Sequence, residues 1–203
     1  MSLADSLSSL RGRFGDSILS ENEFRGETTV QIKIEALRDL LKFCKDELKF
    51  DYLVDISSLD HFGEFPRYEM VYELYSMAGG LHLRVKALIQ DEDNPTVPSV
   101  ADVWPTADWH EREVYDMMGI RFDGHPDLRR ILMWEGFPYF PLRKDFPLQG
   151  KPSDTPEVAF SDTAPLAGGP FVTVPTTGTT QVREPRARRA GDEPPHEKFI
   201  SEP

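Results

Sequence analysis

Apolar and polar residues alternate through Thr28–Ile34, with Val30, Ile32 and Ile34 on one side and Gln31 and Lys33 on the other. A period of two predicts a half-buried strand. The period then lengthens. Leu37, Leu40, Leu41, Cys44 and Leu48 recur at three- and four-residue spacing, the apolar stripe of a helix. Tyr52–Leu59 reads as a second strand, and residues 67–76 and 81–90, joined by Met77-Ala78-Gly79-Gly80, read as a hairpin. In the second arm of that hairpin Leu81, Leu83, Val85, Ala87 and Ile89 oppose His82, Arg84 and Lys86. One greasy face and one wet face imply a sheet covered on one side by helices. Residues 1–20 read as a short amphipathic helix broken by glycines. The pattern predicts an α+β two-layer domain without repeats, ending near Gly150.

From residue 151 the pattern dissolves. Residues 151–203 hold nine of the 17 prolines and are rich in threonine and glycine. Such a segment buries too little apolar surface to offset the entropy of ordering, so alone it should be extended or disordered. Phe160, Leu166, Phe171, Val172, Val174, Phe199 and Ile200 punctuate it like anchors for a neighbour's grooves. A plain disordered tail and a segment wrapping a partner both fit.

The densest charged block lies between them. Asp108 can cap a helix over Trp109–Met118, with Glu111 in the capping-box position and Gly119 as the stop. At ~100° per residue Arg112, Glu113 and Asp116 share one face, while Glu111 falls among Val114, Tyr115 and Met118 on the apolar side. A carboxylate there must be satisfied locally or paired with a cation. Arg129, Arg130 and Arg143 follow in turn-rich stretches, and guanidinium groups suit carboxylates. The block therefore reads as a rigid, ion-paired docking element, with Glu111 buried and paired.

Catalytic readings fail on spacing. His110-Glu111 starts like HExxH, but Val114 stands where the second histidine should be. Glu111 and Glu113 point in different directions, unlike a glycosidase pair. Asp60-His61 and His125 read as ordinary polar groups of turns. Tyr68, Tyr72 and Trp104 suit a core or hairpin better than a stacking platform. No GxGxxG, Walker A or GxSxG motif is present.

Composition narrows the class. Hydrophobic residues make up 39% and charged residues 29% of 203 residues, as in a soluble chain with a real core. No apolar run approaches ~20 residues, and the first 20 residues lack the pattern of a secretory signal. A formal charge of −12 disfavours nucleic acid and anionic lipid as partners. The single cysteine, Cys44, excludes an internal disulfide and a thiolate metal cage, and its place on the helical stripe predicts a buried, inert thiol. A reducing, cytoplasmic compartment fits.

The run ADWHEREVYDMMGIRFDGHPDLRRILMWEG, followed by PLRKDFPLQG, resembles the signature of the C-type subunit family of respiratory complex I, the 30-kilodalton subunit in mitochondria. The first family motif falls on Glu111, Arg112, Glu113, Asp116, Met117, Met118, His125 and Arg129, and the second on Pro141, Leu142, Arg143, Lys144 and Asp145. One departure stands between them: Phe137-Pro138-Tyr139-Phe140 intervenes where family members commonly run directly into PLRKD. The resemblance is sharp over 98–150, consistent in layout over 24–97, and absent from the tail. It implies an α+β domain with a mixed sheet and a C-terminal segment wrapping neighbours. It also implies a place in the peripheral arm of NADH:quinone oxidoreductase, on the cytoplasmic face of the inner membrane. There the chain would sit beside the D-type quinone-site subunit and the B-type iron–sulfur subunit. FMN, iron–sulfur clusters and quinone would be held by other chains, and this one would bind no redox cofactor. Two rivals remain: the equivalent subunit of a membrane-bound hydrogenase or of a ferredoxin- or coenzyme F420-driven dehydrogenase, and a metallohydrolase using His110, Glu111 and His125.

Overall fold

A computed structural model describes residues 2–134 and 136–147. The reading of residues 151–203 as an extended tail lies outside them. Among the described residues there are three α-helices, α1 (Leu3–Phe14), α2 (Ile34–Asp46) and α3 (Ala107–Met118). The strands are β1 (Ile18–Phe24), β2 (Glu27–Ile32), β3 (Tyr52–Asp60), β4 (Tyr68–Ser76), β5 (Leu81–Ile89), β6 (Thr96–Pro98) and β7 (Arg121–Asp123).

Five strands form one sheet in the order β1-β2-β5-β4-β3, in which β2 and β5 run parallel and the other neighbours antiparallel. The α+β architecture with a mixed sheet is thus present. Alternation sets its faces. Val30 and Ile32 of β2 stand beside Val85 and Ala87 of β5, and Met70, Tyr72 and Leu74 of β4 beside Ala87, Val85 and Leu83. All of these are fully buried, together with Leu37, Leu40, Leu41 and Cys44 of α2. Burial of Cys44 pushes its thiol far up, so it stays protonated and inert. On the opposite face polar residues pair across strands: Lys86 Nζ lies 2.9 Å from Glu69, and Arg84 bridges Glu73 and Glu27.

The beginning of the chain departs from expectation. Ser2 and Asp5 form a reciprocal capping box that starts α1, and the helix runs through Gly12. A 3₁₀ turn at Gly15–Ser17 ends it, and β1 follows at once. Leu10 carries the helix into the core, whereas β1 is mostly exposed and lacks clean alternation, so the sequence did not reveal it. The short parallel pair β6–β7 was equally hidden, because three residues are too few to show a period. Yet β6–β7 and the end of β3 supply the surroundings of α3.

Candidate functional site

The charged block is built around α3, whose sides and C-terminal end hold five stretches of loop or strand. Thr106 occupies the N-cap position without a side-chain bond, so the expected Asp108–Glu111 capping box is absent. Glu111 points instead to the start of the segment after β6. There Glu111 Oε2 accepts from the Ser99 hydroxyl at 2.6 Å and Oε1 from the Val100 N–H at 2.7 Å. The Glu111 side chain is completely buried. Burial raises its carboxyl above the ordinary range, against the opposing pull of Ser99, Val100 and His125. The expectation of a buried Glu111 holds, but its hydrogen-bond donors are Ser99 and Val100, and among the described residues no arginine reaches it. Local satisfaction replaces the ion pair because Ser99 and Val100 pass within hydrogen-bond reach of the Glu111 carboxylate.

His125 lies beside this carboxylate, with Nε2 3.9 Å from Glu111 Oε2 and its side chain fully buried. The Asp127 N–H donates to Nδ1 at 3.0 Å. That fixes the tautomer with the proton on Nε2, which faces the Asp108 carbonyl oxygen at 3.2 Å. His125 thus ties the segment after β7 to the first turn of α3. His110, one residue from Glu111, turns away toward Asp55 of β3 at 3.3 Å. The trio His110, Glu111 and His125 does not converge, and among the described residues no group of three or more His, Cys, Asp or Glu could hold a metal ion.

Asp116 and Arg112, one turn apart, grip a single loop. Asp116 Oδ2 accepts from the N–H groups of Ile131, Leu132 and Met133 at 3.0, 2.7 and 2.8 Å. Its Oδ1 receives Arg130 Nη1 at 2.6 Å. Burial pushes the Asp116 carboxyl up, but the three N–H groups and Arg130 outweigh it and hold it below the usual carboxylate range. Arg112 donates in the other direction, to the carbonyls of Arg129 and Arg130 at 3.2 Å each. A carboxylate for the amides and a guanidinium for the carbonyls satisfy both polarities of the same turn-rich backbone. Glu113, expected on this face, is exposed and turns toward β3, since one residue of helix rotates it ~100° from Arg112.

The second motif closes the C-terminal end of α3. Gly119 adopts the left-handed conformation (φ 75°) that terminates the helix, and its N–H bonds the Tyr115 carbonyl. Arg143 Nε donates to the Met118 carbonyl at 2.7 Å, and the Leu142 N–H to that of Met117 at 3.1 Å. A cation at a helix C-terminus also meets the negative end of the macrodipole. The Arg143 guanidinium stacks 4.4 Å from the centre of the Phe140 ring. Lys144 donates its N–H to Asp60 Oδ2 at 2.8 Å, and Asp145 lies 3.1 Å from Arg67 Nη2. Arg129 takes part only through its carbonyl, its side chain being exposed beside Asp127.

Between the motifs, the aromatic departure has a definite role. Arg130 Nη2 donates to the carbonyls of Phe137 and Tyr139. Trp134, Phe137, Tyr139 and Phe146 form a chain of ring contacts with centroids 4.6, 5.7 and 5.8 Å apart. The extra residues therefore hang from the same arginine that Asp116 holds.

These contacts use the side chains of Glu111, Arg112, Asp116, Arg130 and Arg143 to hold backbone. Residues 30–152 match the family model described as "Respiratory-chain NADH dehydrogenase, 30 Kd subunit". The chain belongs to this 30-kilodalton subunit family. The form-2 C subunit of NADH-quinone oxidoreductase from Rhizobium etli is 49% identical over 140 residues, covering 68% of this chain and 74% of the relative. The C subunit of the same-named enzyme from Geotalea uraniireducens is 48% identical over 141 residues, covering 70% and 85%. That of Roseiflexus sp. is 43% identical over 157 residues, covering 76% and 87%. A chain of the membrane-bound sulfane sulfur reductase, an archaeal respiratory membrane complex, shares the fold with a TM-score of 0.62. It is 24% identical, and the match covers 72% of this chain and 87% of that one.

In this member of the 30-kilodalton subunit family, the sequence concealed two anchors. Asp60, read as a turn residue, is buried and accepts a bidentate pair from Arg67 at 2.8 Å for each bond. The Arg67 guanidinium first and the Lys144 N–H after it hold the Asp60 carboxyl low, against its burial. Ser99, the hydroxyl on Glu111, is the other. Asp60 lies 84 residues from Lys144 and Ser99 12 residues from Glu111, and no pattern in the sequence pointed to either pairing.

Proposed function

We propose that this chain is a non-redox scaffold subunit in the peripheral arm of a proton-translocating NADH:quinone oxidoreductase. In this reading it sits on the cytoplasmic face of the inner membrane, beside the D-type quinone-site subunit and the B-type iron–sulfur subunit. Other subunits carry FMN, the iron–sulfur clusters and quinone, which together pass electrons from NADH onward. One observation carries the reading: Asp116, Arg112, Arg130 and Arg143 are committed to amides and carbonyls of loops 129–133 and 137–143 and of the end of α3, leaving a rigid surface rather than reactive groups. The lone cysteine supports it, because a cluster held by four thiolates cannot be built from Cys44. No helix among the described residues is long and apolar enough to cross a membrane, in keeping with attachment through partners.

The relatives at 41–49% identity carry the name NADH-quinone oxidoreductase, which favours an NADH-driven complex over a hydrogenase or a ferredoxin- or F420-driven one. The test is affinity purification of the tagged chain from its native cell, followed by mass spectrometry. FMN-, iron–sulfur- and quinone-site subunits should co-purify in equal stoichiometry. A chain recovered alone, or with hydrogenase subunits, contradicts the assignment.

A further inference from the structure

β3 ends the five-stranded sheet, and a groove of about 460 Å³ runs along it. One wall is the unbroken run Asp55–His61, and the other is formed by Glu113, Val114 and Met117 of α3 with Leu142 beyond them. Alternate residues of an edge strand turn their N–H and C=O groups outward, a template for another strand. Among the described residues, the backbone of Asp55–Asp60 makes no backbone hydrogen bonds beyond its ladder with β4. α3 follows β3 in the same direction. His110 stands 3.3 Å from Asp55, while the C-terminal end reaches Asp60 through Arg143 and Lys144. Glu113, a turn beyond His110, therefore marks the Asp55 end, and Lys144 the other. Glu113 has no ion partner among the described residues, and Lys144 forms no ion pair of its own, its charge acting on Asp60 only at longer range. The exposed Leu59 and Leu142 add apolar surface between them.

We propose that this groove receives one extended segment of a neighbouring subunit as an added strand, with a basic residue at the Asp55/Glu113 end and an acidic residue beside Lys144. Seven residues at ~3.3 Å each make the segment roughly 20 Å long. Main-chain bonds to β3 would supply affinity, and the apolar wall and end charges register and specificity. The inference rests on the reading of the chain as one subunit of a larger assembly.

The test places the photo-cross-linking residue p-benzoylphenylalanine at Leu59 in the full chain, expressed within its complex. A control carries it at Leu19, on the opposite edge strand β1. Irradiation should join position 59 to a single short stretch of one neighbouring subunit, and position 19 should not reach that stretch. A complex that assembles without an adduct at 59, or with an adduct to a second copy or to residues 151–203 of the same chain, overturns the proposal. Failure of the chain to co-purify with any subunit would instead strike the functional reading beneath it. Glu113→Lys should weaken subunit association by about 10- to 100-fold, as expected when like charges meet, and reversal of the basic residue found in the cross-linked stretch should restore it. An unchanged affinity in Glu113→Lys would refute the assigned polarity.

Discussion

Gly119→Ala tests whether the two signature motifs are mechanically joined. A Cβ at this position would lie 2.5 Å from Arg143 Nη2 and 2.7 Å from two atoms of the Phe140 ring. Both groups must move, and Arg143 cannot move without loosening its bond to the Met118 carbonyl. The left-handed backbone adds a second cost, ~1–2 kcal/mol for a residue with a Cβ. Overpacking adds ~1–3 kcal/mol. The sum, ~2–5 kcal/mol, corresponds to a fall in melting temperature of ~4–20 °C for a chain of this size. Gly124→Ala is the internal control: its φ is 80°, but nothing lies within 4 Å of the added Cβ. It should suffer only the conformational cost, ~1–2 kcal/mol. Urea denaturation of the purified full-length chain, monitored by tryptophan fluorescence, measures both. Equal destabilisation by the two substitutions would refute the idea that Arg143 and Phe140 clamp the end of α3.

Asp116→Ala strands Arg130 and three N–H groups and should cost ~3–5 kcal/mol in the same assay. Because the folded carboxyl is held low, its stabilisation is full above the unfolded value of ~3.9 and fades as pH falls through and below it. The gap between wild type and variant should therefore narrow in acid; a gap that widens there would contradict the assignment. Glu111 has the opposite sign, since its carboxyl is raised. Relative to Glu111→Gln, the wild type should lose stability as pH rises from ~4.5 through the raised value, and a gain over that window in paired melting curves would be the wrong result. Cys44 should resist a thiol-specific disulfide reagent in the native state and react only at the rate of unfolding. Rapid labelling of the folded protein would show that α2 does not pack as described.

The parts of this fold that were legible in the sequence are those governed by a sustained period. α2 and the second arm of the β4–β5 hairpin contain enough apolar positions to fix their type and face, and β3 enough to fix its type. β1 does not, because its residues pair at an edge without burying one side, and β6 and β7 are too short. The charged block was legible as to which residues matter and which face of α3 they occupy, but not as to their partners. Glu111 found Ser99 and Val100, Asp116 found an arginine and three amides, and Arg143 found a carbonyl. Sequence spacing reports side-chain direction on a helix, whereas the partner is whatever distant backbone the fold carries past that direction. Asp60 illustrates the same limit from the other side: its pairing with Lys144 spans more than half of the domain.

The proposed scaffold role requires that the charged block hold loops in shape for assembly and do no chemistry. The most direct measurement compares Asp116→Ala and Arg130→Ala complexes with wild type in solubilised membranes. Sedimentation reads assembly of the peripheral arm, and NADH:ferricyanide and NADH:quinone activities are assayed on the fractions. With a scaffold role the arm should fall apart and quinone reduction be lost with it, while NADH:ferricyanide activity persists in a smaller, detached module. Fully assembled arms of normal size that cannot reduce quinone would contradict it and place the block in the chemistry.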